Sequence, residues 1–210
     1  ANHFLPEATS TNRLNRLMWL ETSAIKAGSV GIDPVRRLAS IVETDATGAR
    51  KIAERLRMSN AQRDHLITLV DPPWQATREI LDDDLRTLLY RMEPARVIDL
   101  CLLEWASALT NMPRLPREHS RAWLRIIDTA DTWVAVDFPL SGRDARDLGL
   151  AEGPQIAEVL KHVENWWTSG GCRADRDACL RRLQKVAEAP QQTIDHQGRP
   201  SPNTVGNGRL

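Results

Sequence analysis

The chain has 210 residues, enough for one large domain or two small ones with a substantial buried core. Its 28 basic and 28 acidic residues balance to a formal charge of zero, which excludes a strongly basic nucleic-acid coat and confines any anion-binding face to a local patch. No apolar run approaches eighteen residues, and five scattered histidines and three cysteines without CxxC spacing give no membrane span and no metal-site pattern.

Charge is unevenly spread: residues 1–70 carry a net +3, residues 71–140 a net −4 and residues 141–210 a net +1. Arginine outnumbers lysine 24 to 4, a bias that suits bidentate phosphate contacts and that a GC-rich genome would equally produce. The sparse cysteines fit a reducing compartment, with Cys101 expected in the core and the chain expected to be cytoplasmic. The N-terminus has no charged stretch followed by an apolar one, and no initiator methionine, which leads us to expect a fragment of a longer protein.

In chain order, Asp33-Pro34 opens a short helix expected to run to Val42. Thr44 or Asp45 caps a second helix over 46–57, and Ser59-Asn60 starts a third through Val70. Leu81, Leu85, Leu88 and Met92 trace an apolar stripe. After Pro94, Val97, Ile98, Cys101, Leu102, Trp105 and Leu109 repeat at three- and four-residue steps, the mark of a long buried helix face. Trp123, Ile126, Ile127, Ala130 and Val134 form the next stripe. The patch from Trp133 to Phe138 reads either as a β-like segment or as a helix end. A final helix is expected from Ala174 or Asp175 through Val186. No period-2 strand of useful length appears, so the fold class is all-α: a helical body domain followed by a smaller helical tail domain.

Pro113 and Pro116 mark the strongest break, giving expected domains of 1–112 (body) and 113–189 (tail). Residues 190–210 hold Pro, Gly, Asn, Gln and Ser with few apolar groups, and are expected to be disordered because they cannot bury enough surface to offset ordering entropy.

Between these helices lies the most informative run, Phe138-Pro139-Leu140-Ser141-Gly142-Arg143-Asp144, continued by Leu148-Gly149-Leu150 and Gly153-Pro154-Gln155-Ile156. Ser141 and Asp144 are N-cap residue types, Gly149 suits a left-handed helix stop, and Gly153-Pro154 opens a second helix whose apolar positions are Ile156, Val159, Leu160, Val163 and Trp167. This run resembles a signature in the C-terminal arm of bacterial tRNA nucleotidyltransferases, the CCA-adding branch of the poly(A) polymerase family. Leu5-Pro6-Glu7-Ala8, Asp33-Pro34-Val35-Arg36-Arg37-Leu38-Ala39 and Ala53-Glu54-Arg55-Leu56-Arg57-Met58-Ser59-Asn60 are similar to the family's neck–body junction and body, in the same order. The sequence departs from the pattern at Ala145, where the family commonly has leucine, and at Ala157, where it usually has glycine.

The resemblance implies the body-and-tail half of such a protein, with tRNA as partner through its backbone and elbow, and a separate N-terminal catalytic head. That head would carry a GGxVRD turn and a D-x-D carboxylate pair using Mg2+ with CTP and ATP; no cofactor is expected in this chain. Asp82-Asp83-Asp84 is the nearest carboxylate run, but Asp82 and Asp84 on a helix point about 200° apart and cannot share a metal. No catalytic residue is expected here.

Arg143 and Gly153 are the sharpest RNA-binding candidates, since a helix N-terminus with a nearby guanidinium suits a phosphate, unless Arg143 pairs with Asp144 to brace the turn. Lys161, opposite the apolar stripe, and Arg181, Arg182 and Lys185 on the last helix complete the set. Trp166 offers a stacking face or a second packing contact, while Trp167 continues the stripe into the core. The Arg36-Arg37, Arg50-Lys51 and Arg55-Arg57 pairs give the body a basic tint that could follow an acceptor arm. The alternative function is a stand-alone helical adaptor that binds another protein, which the even charge allows.

Overall fold

A computed structural model describes residues 5–24, 30–150 and 153–188. The regular elements among the described residues are all helices, with no strand and a single antiparallel bridge between Ala8 and Val42. The chain divides into two compact units, residues 1–138 with 167–173, and residues 139–166 with 174–210. The segment 190–210, expected to be disordered, lies outside the described residues.

In the first unit, α1 (Asn12–Trp19) continues into a π-helical turn, Leu20–Ala24. Three short helices follow: α2 (Pro34–Ala39), α3 (Ala46–Arg55) and α4 (Asn60–Val70). Their starts are set by side-chain caps. Asp33 accepts from the Arg36 N–H at 2.6 Å and Asp45 from the Gly48 N–H at 2.8 Å. Ser59 and Gln62 close a reciprocal capping box, with the Ser59 N–H donating to Gln62 at 2.9 Å and the Gln62 N–H to Ser59 at 3.2 Å. Of the two caps open in the sequence, Asp45 is the one used, and α2 stops at Ala39 rather than Val42.

Helices α5 (Asp82–Arg91), α6 (Pro94–Asn111) and α7 (Arg117–Asp131) complete this unit. α6 is its axis and packs against α1, α7, α2 and α5. Val97, Cys101, Leu102, Trp105 and Ala106 are fully or almost fully buried, so the long stripe is the core. Leu17, Leu20, Ile52, Leu66, Leu85, Trp123 and Ile126 close around it. The Pro113–Pro116 turn lies inside this unit, between α6 and α7.

Two expected stripe members fall elsewhere. Leu81 is 70% exposed because it is the residue before α5, and Leu89 takes the buried place beside Leu85. Val134 is 78% exposed because α7 stops at Asp131, and Trp133–Phe138 is neither helix nor strand.

The segment 167–173 is fastened to α5 within the same unit. Trp167 meets Tyr90 edge-on at 5.2 Å and Phe138 at 5.6 Å between ring centroids. Arg86 donates to the Gly171 carbonyl at 2.7 Å, Thr87 to the Thr168 carbonyl, and Arg173 pairs with Asp83 at 3.0 Å.

The second unit holds α8 (Gly142–Asp147), α9 (Pro154–Ser169) up to Trp166, and α10 (Arg176–Glu188). Asp175 caps α10 by accepting from the Ala178 N–H at 2.8 Å. Leu140, Ala145, Val163, Cys179 and Leu183 are buried.

Candidate functional site

The α8 turn carries the sharpest sequence signal. The Asp144 carboxylate accepts from the Ser141 N–H at 2.7 Å and the Ser141 hydroxyl at 3.0 Å, so the fourth residue of the turn ties back to its first. Gly149 ends the helix with φ +86°, a left-handed conformation that a side chain resists, and its N–H donates to the Arg146 carbonyl at 2.8 Å. Gly153 opens α9 with φ +148°, again in glycine's range. A β-carbon on Gly142 would meet only the Ile156 methyl, at 3.8 Å, so the two helix starts lie side by side.

Arg143 does not brace this turn. The partner of Asp144 is Arg176 of α10, whose other nitrogen donates to the Pro139 carbonyl at 2.5 Å. The Ser141 N–H first, and the Arg176 guanidinium after it, hold the Asp144 carboxyl below the usual carboxylate range against the opposing effect of burial. Arg143 is exposed and makes no ion pair with any described residue.

The other candidates all fall in the second unit. Gly153 is exposed, with no atom within 4 Å of an added β-carbon. Lys161 on α9, and Arg181 and Lys185 on α10, are exposed. Arg182 is half-buried, with its guanidinium 5.8 Å from the Trp166 ring centroid and its Nε buried without a hydrogen-bond partner among the described residues. Trp166 is half-buried and Trp167 buried, so the first is a platform already covered by Arg182 and the second belongs to the core. α8, α9 and α10 are thus joined through Gly142–Ile156, Trp166–Arg182 and Asp144–Arg176.

Half of the basic residues expected to tint the body, Arg36, Arg37 and Arg55, are taken up in ion pairs. Arg36 is 2% exposed and bridges Glu21 at 2.6 Å and Asp99 at 2.5 Å, while Arg37 reaches the same Glu21 at 2.8 Å. His65 Nε2 lies 2.8 Å from the second Asp99 oxygen. Arg36 is therefore an internal clamp and no surface for an acceptor arm. Arg55 pairs with Glu7 through two bonds of 2.8 and 3.0 Å. Sequence reading missed this network, although Asp99 gave a signal: a lone acid between Ile98 and Leu100 on a buried helix needs a partner.

The first turn of α5 does not fit magnesium. Asp82 pairs with Arg125, Asp83 with Arg173, and all three carboxylates of the run are exposed. Among the described residues no three His, Cys, Asp or Glu side chains converge as a metal site. Cys101 is buried and its thiol is pushed up to about 12 by desolvation, which keeps it protonated. No helix among the described residues is long and apolar enough to cross a membrane.

No family model matches the chain. Part of it is similar to an uncharacterized 28 kDa protein in the petA 5′ region of Rhodospirillum rubrum, at 39% identity over 86 residues, 41% of this chain and 30% of that protein. Shorter parts are similar to mitochondrial CCA tRNA nucleotidyltransferase 1 of Mus musculus and of Homo sapiens, at 32% and 30% identity over 54 residues, 26% of this chain and 12% of each enzyme. The chain spans about a third or less of the length of these relatives. The partial similarities indicate a distant relationship to CCA-adding enzymes.

Proposed function

We propose that this chain is the tRNA-binding, body-and-tail part of a nucleotidyltransferase-like protein whose catalytic head lies outside it. The observation that carries the reading is the partial similarity to mitochondrial CCA tRNA nucleotidyltransferases, together with the order of sequence segments that resembles that family. Supporting it, the second unit leaves Arg143, Lys161, Arg181 and Lys185 exposed, and Arg143 without an ion-pair partner among the described residues. Such cations fit a structured RNA read by backbone and shape, because the deep groove of an A-form helix hides its base edges. In this reading Mg2+, CTP and ATP belong to the head.

The test is direct binding of the purified chain to unmodified tRNA across a salt series, beside nucleotide incorporation with Mg2+ and labelled CTP or ATP. The expected result is salt-dependent tRNA binding that tolerates base changes, with no extension above a no-protein control. Absence of tRNA binding at low salt overturns the reading, and clear incorporation overturns the placement of the catalytic head elsewhere.

A further inference from the structure

Several arginines of the first unit find carboxylates: Arg36 and Arg37 share Glu21, Arg55 takes Glu7 and Arg125 takes Asp82. Three neighbours do not. Arg114, in the turn before α7, and Arg117 and Arg121, on its first two turns, are exposed, and their side chains have no hydrogen-bond or ion-pair partner among the described residues. At 3.6 residues per turn Arg117 and Arg121 lie about 40° apart around the helix, on the side away from the buried Trp123, Ile126 and Ala130. Arg125 continues the line one turn further and is neutralised by Asp82; beyond it the exposed residues turn acidic at Asp128 and Asp131. The uncommitted charge is therefore confined to one end of α7.

Two local terms oppose this arrangement in the free chain. Like charges four residues apart on a helix repel, and cations at the start of a helix meet the positive end of its dipole. Glu118 is the one acid in that turn, and it forms no ion pair with either arginine. None of the three guanidiniums packs on a described aromatic ring or closes a helix end. Charges that cost stability and brace nothing gain from a polyanion outside the fold, where local sequence rules yield to function.

We propose that the Arg114–Arg117–Arg121 edge of α7 is a contact surface for the phosphate backbone of structured RNA. The inference rests on the tRNA-binding reading and adds a surface in the first unit to the cations of the second. A guanidinium offers a planar fork that takes two phosphate oxygens in parallel bonds, which suits three arginines better than three lysines. Side chains four apart on a helix start about 5–6 Å from one another, so Arg117 and Arg121 can engage successive groups of an extended polyanion. Each phosphate contact releases condensed counterions, a gain that nucleic acid supplies and an isolated carboxylate does not. The contact is to backbone and carries no base specificity.

Anisotropy of end-labelled tRNA with the full chain across a potassium chloride series, beside the triple variant Arg114→Gln, Arg117→Gln and Arg121→Gln, tests this. The triple variant should lose at least about thirtyfold in affinity at low salt, and its log–log salt slope should fall by about two to three units, just under one for each phosphate no longer neutralised. Its urea midpoint should hold or rise, because the repulsion is relieved. Arg50→Gln with Lys51→Gln, two exposed cations on α3, is the control and should lower the slope by less per residue. If the unaltered chain binds tRNA and the triple variant binds it equally with the same slope, the α7 surface is overturned and the tRNA-binding reading stands; if the unaltered chain binds no tRNA, both fall. An equal loss per residue from the α3 pair means diffuse attraction to net charge and overturns the surface. So does loss of poly-glutamate binding with tRNA binding intact, which places an acidic protein there. Arg121→Gln alone decides if the triple variant fails to fold, by a slope lower by just under one unit or by none.

Discussion

Asp144 is held by Arg176, thirty-two positions along the chain, and not by the adjacent Arg143. This one pairing separates the arginine that braces the turn, Arg176 of α10, from Arg143 within the turn, which makes no ion pair with any described residue. Asp144→Asn should therefore lower stability by about 1–3 kcal/mol, the range for a charge-assisted bond to a buried acceptor, and Arg176→Ala should lower it by less because Arg176 is half-exposed. Arg143→Ala should leave urea-unfolding midpoints unchanged. On the proposed tRNA-binding reading it should weaken tRNA roughly five- to thirtyfold and reduce the log–log salt slope by somewhat less than one unit. An Arg143→Ala chain that loses stability and keeps its tRNA affinity would remove that residue from the site.

The same carboxylate gives a pH dependence with a definite sign. Its folded pKa lies below the ordinary value of about 3.9, because the Ser141 amide and Arg176 favour the charged form. The native state then binds the proton less readily than the unfolded chain. The contribution is fully present above about pH 5 and disappears as pH falls through the lowered folded value. The stability gap between the native chain and Asp144→Asn should accordingly be widest near pH 7 and narrow toward pH 3, measured by urea unfolding at each pH. A gap that stays constant or widens on acidification contradicts the assignment.

The Glu21–Arg36–Asp99–His65 network makes a third case. Glu21 and Asp99 flank one guanidinium in the interior, and His65 takes the remaining Asp99 oxygen. Removing one member leaves an uncompensated charge away from water. Asp99→Ala should cost about 3–5 kcal/mol, read as a drop in urea midpoint. A change under about 1 kcal/mol would mean that water replaces the lost carboxylate.

How much of this was legible in the sequence depends on the range of the interaction. Helix starts were readable where a cap acts within three residues, as at Asp33, Ser59 and Asp175. The buried stripe of α6 was readable because Val97, Cys101, Trp105 and Leu109 repeat along one face. Helix ends were less so: apolar Val134 extends the α7 pattern by one step, yet the backbone leaves the helix at Asp131 and exposes it. Pro113 and Pro116 show where α6 stops, but a proline turn does not dictate whether the next helix packs back, and α7 does. The long-range pairings, Arg36 with Asp99 inside the first unit and Arg176 with Asp144 at the candidate site, join residues 63 and 32 positions apart. No local pattern encodes such partners, so Arg36 read as surface charge and Arg143 as a possible brace.

Arg182 and its neighbours on α10 allow the last separation of structural from RNA-facing charge. Arg182 lays its guanidinium over the Trp166 ring and buries its Nε, whereas Arg181 and Lys185 are exposed. A half-buried stack of this kind contributes about 0.5–1 kcal/mol beyond the packing of the side-chain stem. Arg182→Lys keeps the positive charge and loses the planar stack, so it should reduce stability by about 1 kcal/mol while leaving the salt slope of tRNA binding in place. Removing both exposed charges, with Arg181→Ala and Lys185→Ala together, should do the reverse: an unchanged urea midpoint and a salt slope lower by up to about two units, one for each phosphate no longer neutralised. Fluorescence of Trp166 adds a check on the first variant, because its ring loses its cover. If Arg182→Lys flattens the salt slope while the double variant does not, the RNA-facing side of α10 is the Arg182 side, and the exposed pair is solvent-facing charge.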